Sequence, residues 1–393
     1  MDTRRVLVPV AHPVGGIRTY LIYNLKPLHE AGYRFTFLAP EGEGFDHFKN
    51  DTASWEGTEY IDIPRKKRGQ EWVSLLVIWR TLRKQRFDLI HSQGLRFGTL
   101  VALANFFRQI PHLMTLNDVI IPGHNDFGRF ALLKKLLISF ATRRVSSIIP
   151  ASHDSENNHL EIFPAWKKGP VKIETIFNGI DIDRLERSRT QFEADPRPNL
   201  REHFGISNEV ILGGFFGRFM PQKGFDLMLK ALVLLSERGY GDRFHLVATI
   251  DHCGYATETL RDTAANPNVA KMVHFLEAVP DITPLLLQTD VLVMPSRWEA
   301  CPLLAMESLV LGTPIIGTDC LGLREVLSGT PGTVVPTENP AALADAIASF
   351  IENPQPAQEA AKDYAPRAAK RFDVKVVAEQ LLALYRSIDQ SRR

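Results

Sequence analysis

The chain has 393 residues, too many for one comfortable hydrophobic core, so two domains are expected. Apolar residues make up 45% and charged residues 23%, proportions ordinary for a globular protein that exclude a disordered chain and a coiled-coil rod. Net charge is +1, yet residues 1–178 hold 24 Lys/Arg against 17 Asp/Glu while 179–393 hold 22 against 28, a basic half at +7 and an acidic half at −6. Such an asymmetry suggests that one domain faces an anionic partner, a phospholipid surface or a phosphorylated acceptor, with a chance split as the alternative. Cys253, Cys301 and Cys320 are odd in number and lack Cys-x-x-Cys spacing. They support neither a disulfide framework nor a zinc site, and a reducing cytoplasm fits them best.

Arg4-Arg5 runs straight into Val6-Leu-Val-Pro-Val10, followed by His12 and a glycine turn. That run is too short for a signal peptide or a spanning helix, so no segment is expected to cross a membrane. Strand-like apolar runs then alternate with helical stretches: strands at 6–10, 35–39, 89–91, 112–116 and 147–150, helices at 16–31, 72–85, 97–107 and 130–144. After a strand-like run at 172–177, Asn178-Gly179 marks a turn, and Asp195-Pro-Arg-Pro198 reads as a linker. A second series follows, with strands at 210–216, 245–249, 273–276, 291–294, 314–317 and 332–335 and helices at 226–237 and 282–288. The final helix, 374–388, carries Val377, Leu381, Leu382, Leu384 and Tyr385 on one face. Alternation of this kind predicts an α/β chain of two doubly wound, parallel-sheet domains in tandem. Boundaries are expected at 1–185, 186–370 and 371–393. Ligands of such sheets bind beyond the carboxyl ends of the strands, so a cleft between the domains is the expected site.

The most informative residues are Glu299 and Glu307, in Pro295-Ser-Arg-Trp-Glu299-Ala-Cys301-Pro302-Leu303-Leu304-Ala-Met-Glu307 followed by Gly312-Thr-Pro. One carboxylate lies in the loop after an apolar strand and the other on the next helix, an arrangement suited to gripping two parts of a polyol attached to a nucleotide. Pro302 opens that helix, whose free N–H groups and positive dipole end favour a diphosphate. Taken alone, the pair could equally be a solvated loop acid and a helix-surface acid. Upstream, Arg218 and Lys223 follow the strand 210–216; Arg218 offers a planar fork for phosphate oxygens and Lys223 a compact charge. A solvated loop is their bland alternative. Gly15-Gly16, between the first strand and the first helix, lets backbone approach a phosphate or sugar, but lacks the third glycine of a dinucleotide-binding fingerprint.

Together these residues resemble the retaining, nucleotide-sugar-dependent glycosyltransferases of family 4, which have the GT-B fold. The resemblance runs from Gly15-Gly16-Ile-Arg-Thr through Pro150-Ala-Ser152, Asn178-Gly-Ile-Asp181, Gly217-Arg218, Lys223-Gly224 and the Glu299/Glu307 pair to Asp319-Cys-Leu-Gly322-Leu-Arg-Glu325. The last segment, from Arg371-Phe-Asp to Leu384-Tyr385-Arg, is similar to the family's terminal helix that crosses back to the first domain. It implies that Arg218 and Lys223 hold the donor diphosphate, that Glu307 binds the ribose hydroxyls and that Glu299 meets the transferred sugar. Backbone groups from Cys301 to Leu304 would complete the pocket. The implied reaction retains the anomeric configuration, uses no metal or other cofactor, and moves sugar from a nucleoside diphosphate to a glycan or lipid-linked acceptor. Catalysis would be mostly electrostatic preorganisation.

Where many members read Thr-x-His-Asp, this chain has Thr115-Leu-Asn117-Asp118, so Asn117 takes the position of the usual sugar-contacting histidine. Asparagine can hydrogen-bond a hydroxyl but cannot carry a proton. Likewise the His-x-His that family members often carry after the preceding strand is His91-Ser-Gln93 here. Asp118 or His91 could substitute, with a structural role as the alternative for each. Ile250-Asp-His-Cys-Gly254 replaces the family's glycine-rich turn and leaves the base contacts open. Asp181-Ile-Asp183 superficially resembles a metal-binding Asp-x-Asp but reads as a turn, and no histidine pair has ligand spacing on a predicted helix. The loop Arg65-Lys-Lys-Arg68 and the helix from Arg129 to Arg144 are basic, and the helix has a broad apolar face. Peripheral contact with the inner face of a membrane fits that composition, as does packing alone. No basic stripe interleaved with aromatics points to nucleic acid.

Overall fold

The computed structural model describes residues 4–124, 127–128, 130–197, 199–250 and 255–390. By internal packing the chain falls into two units, residues up to 179 together with those from 374 on, and residues 180–373. The sequence reading put these breaks at 185/186 and 370/371. They fall where they do because Ile180 pairs with Asp373 and its N–H donates to the Phe372 carbonyl at 2.8 Å, so the outgoing and returning strands of chain lie side by side. Gly179 passes so close to the start of the last helix that a Cβ would lie 2.6 Å from Val374 Cα.

The first unit holds seven parallel strands: β1 (Arg4–Pro9), β2 (Tyr33–Pro40), β3 (Glu59–Ile63), β4 (Leu89–Gln93), β5 (His112–Leu116), β6 (Ser147–Pro150) and β7 (Lys172–Ile173). Their order is β3-β2-β1-β4-β5-β6-β7. In β1, Val6 and Val8 enter the core on one face and Leu7 the core on the other, so this strand reads as an unbroken apolar run rather than an alternating one. The helix Gly15–Glu30 and the C-terminal helix Val374–Gln390 pack together, and Leu21, Leu25, Leu381 and Tyr385 join that first core. β7 is shorter than the predicted 172–177, although Glu174 and Ile176 still donate to the Ile148 and Pro150 carbonyls at 3.0 and 3.1 Å.

The second unit holds β8 (Ile211–Phe215), β9 (Phe244–Ile250), β10 (Val273–Glu277), β11 (Val291–Met294), β12 (Ile315–Thr318) and β13 (Thr333–Val335), all parallel, in the order β10-β9-β8-β11-β12-β13. Phe225, Met228 and Leu232 of the helix Phe225–Glu237 and Leu343 and Ile347 of the helix Pro340–Glu352 pack on this sheet. Several helices were not expected from the apolar pattern. Ile182–Ala194 buries only Leu185 and Ser188 and is set instead by Asp181, whose Oδ1 caps the Arg184 N–H at 2.9 Å. Pro340–Glu352 likewise starts on an Asn339 cap with proline in its first turn. The expected linker follows Ile182–Ala194, with Pro198 outside the described residues, as are 251–254 and Arg129.

His91 does not stand in for a sugar-contacting group. It is fully buried, with Nδ1 2.8 Å from Tyr385 Oη and Nε2 2.7 Å from Thr115 Oγ1, so it braces the C-terminal helix against the sheet. Burial holds His91 and His112 down to about 3 and His159 to about 4. These rings stay neutral in the native state while the unfolded chain takes up protons below the ordinary value of 6.5. The stability they support is therefore complete above that value and is lost progressively as pH falls toward the folded values. Urea unfolding followed from neutral pH downward is expected to show stability falling from about pH 6.5, before the carboxylates titrate. Tyr385→Phe, which removes a buried partner of His91, should cost about 1–2 kcal/mol at neutral pH. A profile flat down to the carboxylate range would contradict this account.

Candidate functional site

In the second unit the chain order reverses between β8 and β11, which are adjacent. The loops leaving their carboxyl ends meet there, at the topological switch point where open parallel sheets bind ligands. Lys223, after β8, and Glu299, after β11, form an ion pair with Nζ 2.6 Å from Oε1. Ser296 Oγ donates to the same oxygen at 2.9 Å. The Glu299 side chain is only 6% exposed, so its charge is held by these two partners rather than by water. Among the described residues no partner meets Oε2, which leaves an acceptor for a further hydroxyl. Arg218 is exposed and makes no side-chain bond among the described residues.

Backbone geometry sets this arrangement. Gly224 has φ +68°, and a Cβ there would lie 2.0 Å from the Pro295 carbonyl oxygen, so the two loops touch through a glycine. On the other side Gly322 has φ +75° and leaves no room for a Cβ, which would lie 2.4 Å from the Ala300 oxygen; the Glu299 N–H donates to the Leu321 carbonyl at 3.0 Å. Gln222 Nε2 donates to the Trp298 carbonyl at 3.0 Å. Arg297 clamps the same two loops: it holds Asp226 through paired bonds of 2.7 and 2.8 Å, the Pro221 carbonyl at 2.7 Å, and Glu338. Its guanidinium keeps the Asp226 carboxyl below the usual carboxylate range. Ser296 and Arg297 were not singled out from the sequence; their adjacency to Glu299 was the available signal, but partners as distant as Asp226 and Glu338 were not.

The helix Leu303–Leu311 begins at Pro302, in extended backbone, with no side chain capping its N-terminus. Its first N–H groups have no partner within the helix, which is what an anion seeks. Cys301, Pro302 and Leu303 are buried and Leu304 half-buried. Glu307, a turn further on, is also buried, so it is not the helix-surface acid of the bland reading. Burial pushes the Cys320 thiol up to about 12, with the Glu299 carboxylate adding to the effect, so this sulfur is a neutral packing group. Asp319 accepts from Thr337 N and Oγ1 at 2.7 and 2.6 Å and pins the loop after β12.

In the first unit, Gly15 has φ +53° and opens the helix Gly15–Glu30, and beside Gly16 there is open space. This helix start has neither a side-chain cap nor an acid in its first turn. Asn117, after β5, donates through Nδ2 to Gln93 Oε1 at the end of β4, 2.8 Å away. Gln93 Nε2 and Asn117 Oδ1 are buried without a partner among the described residues, so the amide pair keeps one donor and one acceptor in reserve. Asp118 is exposed; its carbonyl accepts from Ser155 Oγ at 3.2 Å, and Asn158 bonds both backbone groups of Ile120, so the loop is held by the helix His153–Ile162. Ser152, of the quoted Pro-Ala-Ser run, caps that helix through the Ser155 N–H. Among the described residues no three of His, Cys, Asp or Glu gather as metal ligands.

Residues 14–184 match the family model described as Glycosyltransferase Family 4, and residues 196–371 match that of Glycosyl transferases group 1. The chain is a family 4 glycosyltransferase. A D-inositol 3-phosphate glycosyltransferase of Corynebacterium urealyticum is 29% identical over 316 residues, covering 77% of this chain and 72% of the relative. The lipopolysaccharide core biosynthesis mannosyltransferase LpsB of Rhizobium meliloti is 26% identical over 56% of this chain and 62% of its own length. Among solved structures, Anabaena HepE in complex with UDP-glucose superposes with a TM-score of 0.78 at 21% identity, covering 98% of this chain and 99% of that one. Sucrose-phosphate synthase from Thermosynechococcus elongatus does so with a TM-score of 0.76 at 19% identity, covering 99% and 100%. These likenesses show the GT-B fold of the family 4 enzyme, two Rossmann-like units with the last helix returned to the first. Gln93 and Asn117, the two positions at which this glycosyltransferase departs from the family pattern in its sequence, meet as an amide pair.

Proposed function

We propose that this glycosyltransferase moves a hexose-like sugar, with retention and without a metal or resident cofactor, from a nucleoside-diphosphate-sugar to a hydroxyl of a cell-envelope glycan or lipid-linked acceptor on the cytoplasmic side of the membrane. The observation that carries the reading is the Lys223–Glu299 pair at the switch point, beside the uncapped start of the helix that buries Glu307. Lys223 and Arg218 supply positive charge for the diphosphate, and the first N–H groups of Leu303–Leu311 add donors to it. Glu307 accepts from the ribose hydroxyls, and Glu299 offers Oε2 to the sugar. As the bond to the diphosphate breaks, negative charge grows on the leaving oxygens and the fixed cations stabilise it. The leaving diphosphate then takes the proton of the acceptor hydroxyl. Gly15 and Gly16 let backbone approach the donor, while Asn117 hydrogen-bonds the sugar and Asp118 helps to place the acceptor. HepE, crystallised with UDP-glucose, supports uracil as the first base to test, and LpsB supports an envelope acceptor.

Asn117 favours one second reading, a subunit that binds nucleotide-sugar without transfer. A synthase or epimerase would instead convert donor with no acceptor added. Thermal unfolding with a panel of nucleoside diphosphates and their sugar conjugates, with magnesium or with a chelator, separates these possibilities from the proposal. Selective, metal-independent stabilisation is expected. Glu307→Ala should reduce transfer by about a hundredfold, the cost of losing a buried group that positions substrate. Stabilisation that requires magnesium, or undiminished transfer by Glu307→Ala, would overturn the assignment.

A further inference from the structure

The helix Ala131–Thr142 of the first unit buries only Ile138, Ala141 and Thr142. Leu132, Leu133, Leu136, Leu137 and Phe140 are exposed, Leu132 at 74%. Spaced at one and four residues, they form a single apolar stripe turned to solvent. A helix that served only to cover a sheet would bury its apolar face and show a polar one. Here both faces are apolar, and the cations Lys134, Lys135, Arg143 and Arg144 accompany the exposed one. Residues 127–153 contain no Asp or Glu at all.

The surface continues across its neighbours. The helix Leu95–Asn105 packs against both Ala131–Thr142 and Gln70–Lys84. Gln70–Lys84 exposes Trp72, Leu76 and Trp79, with Arg83 lying 4.6 Å over the Trp79 ring. Its acid, Glu71, is paired with Arg96 at 2.8 Å. Phe107, just beyond Leu95–Asn105, is 91% exposed.

We propose that this face docks on an anionic phospholipid bilayer. The leucines and Phe140 enter the boundary between headgroups and acyl chains, the tryptophans lie at headgroup level, and the basic side chains meet lipid phosphates. A second copy of the chain suits the face poorly, because two such surfaces would oppose cation to cation, whereas an anionic membrane supplies both the apolar layer and the complementary charge. Among the described residues no helix is long and apolar enough to cross a membrane, so the contact lies on the bilayer. None of the donor-binding residues belongs to this face, so the inference goes beyond the proposed function and its test needs no turnover.

The full chain is mixed with phosphatidylcholine vesicles with and without phosphatidylglycerol, at low and high salt, and binding is read by flotation. Binding that depends on the anionic lipid and weakens with salt is expected. Leu132→Ser/Leu136→Ser should weaken it by roughly tenfold per leucine, the cost of losing a partly buried aliphatic side chain, while the thermal unfolding transition is kept because both positions are exposed. Equal binding to neutral vesicles would overturn the electrostatic part. Absence of vesicle binding would overturn the proposal as a whole; if the wild type were then a dimer that the serine variant dissociates, the face would belong to self-association.

Discussion

Lys223→Ala is expected to lower sugar transfer by about two to three orders of magnitude, the usual effect of removing one preorganised charge from the place where transition-state charge develops. It should also lower stability, which a residue serving only to bind ligand would not do. The reason is Glu299: its carboxylate is buried, and without the ammonium 2.6 Å away it keeps only the Ser296 hydroxyl at 2.9 Å. Breaking such a pair from one side costs about 2–4 kcal/mol, somewhat under the range for a fully buried pair because Lys223 is 22% exposed. Lys223→Ala/Glu299→Gln removes the orphaned charge and is expected to recover most of the stability while transfer stays at or below the level of Lys223→Ala. Urea unfolding and steady-state rates of wild type, both single variants and the double variant form the cycle. If the double variant is no more stable than Lys223→Ala, the ion pair is not what holds these loops together.

Gly224→Ala should be severely damaging for so small a substitution. Two costs add. The backbone at φ +68° disfavours any Cβ by roughly 1–2 kcal/mol, and that Cβ would lie 2.0 Å from a carbonyl oxygen of the neighbouring loop, which must move. A total of about 3 kcal/mol corresponds to a Tm lower by roughly 6–12 °C for a unit of this size. Since Lys223 is the adjacent residue, the same displacement spoils its approach to Glu299, and a shift of about 1 Å can cost a hundredfold in rate. Gly239→Ala supplies the control, having φ +84° but nothing within 4 Å of the added carbon. It should show only the backbone cost and normal transfer. Equal Tm losses in the two variants would mean that the loop contact carries no weight.

Much of the fold was legible in the sequence for a definite reason. Strands covered on both faces must be apolar along their whole length, and Val6-Leu-Val and Val291-Leu-Val-Met are. Helices that bury one stripe, such as Phe225–Glu237, are equally visible. Ile182–Ala194 was not, because its start is written in one capping aspartate and it buries little. Glu299 and Glu307 could by spacing alone have been surface acids; they stood out because the run around them, with proline and glycine flanking the helix, resembles the family 4 pattern.

By itself, then, the sequence determined the α/β architecture, the two sets of parallel strands, and the residue types gathered at their carboxyl ends. Tertiary structure decided which of these residues meet. Lys223 and Glu299 are 76 residues apart and touch only because β8 and β11 became neighbours where the chain order reverses. His91 became a brace rather than a sugar contact because Tyr385, 294 residues later, returned to cap it. The amide pair of Gln93 and Asn117 exists because β4 and β5 are adjacent. The apolar face of Ala131–Thr142 had two meanings in the sequence, packing or contact with a membrane, since both require the same side chains. Only the fold, by burying Ile138 and leaving Leu132 in solvent, decided that packing covers just part of that apolar surface.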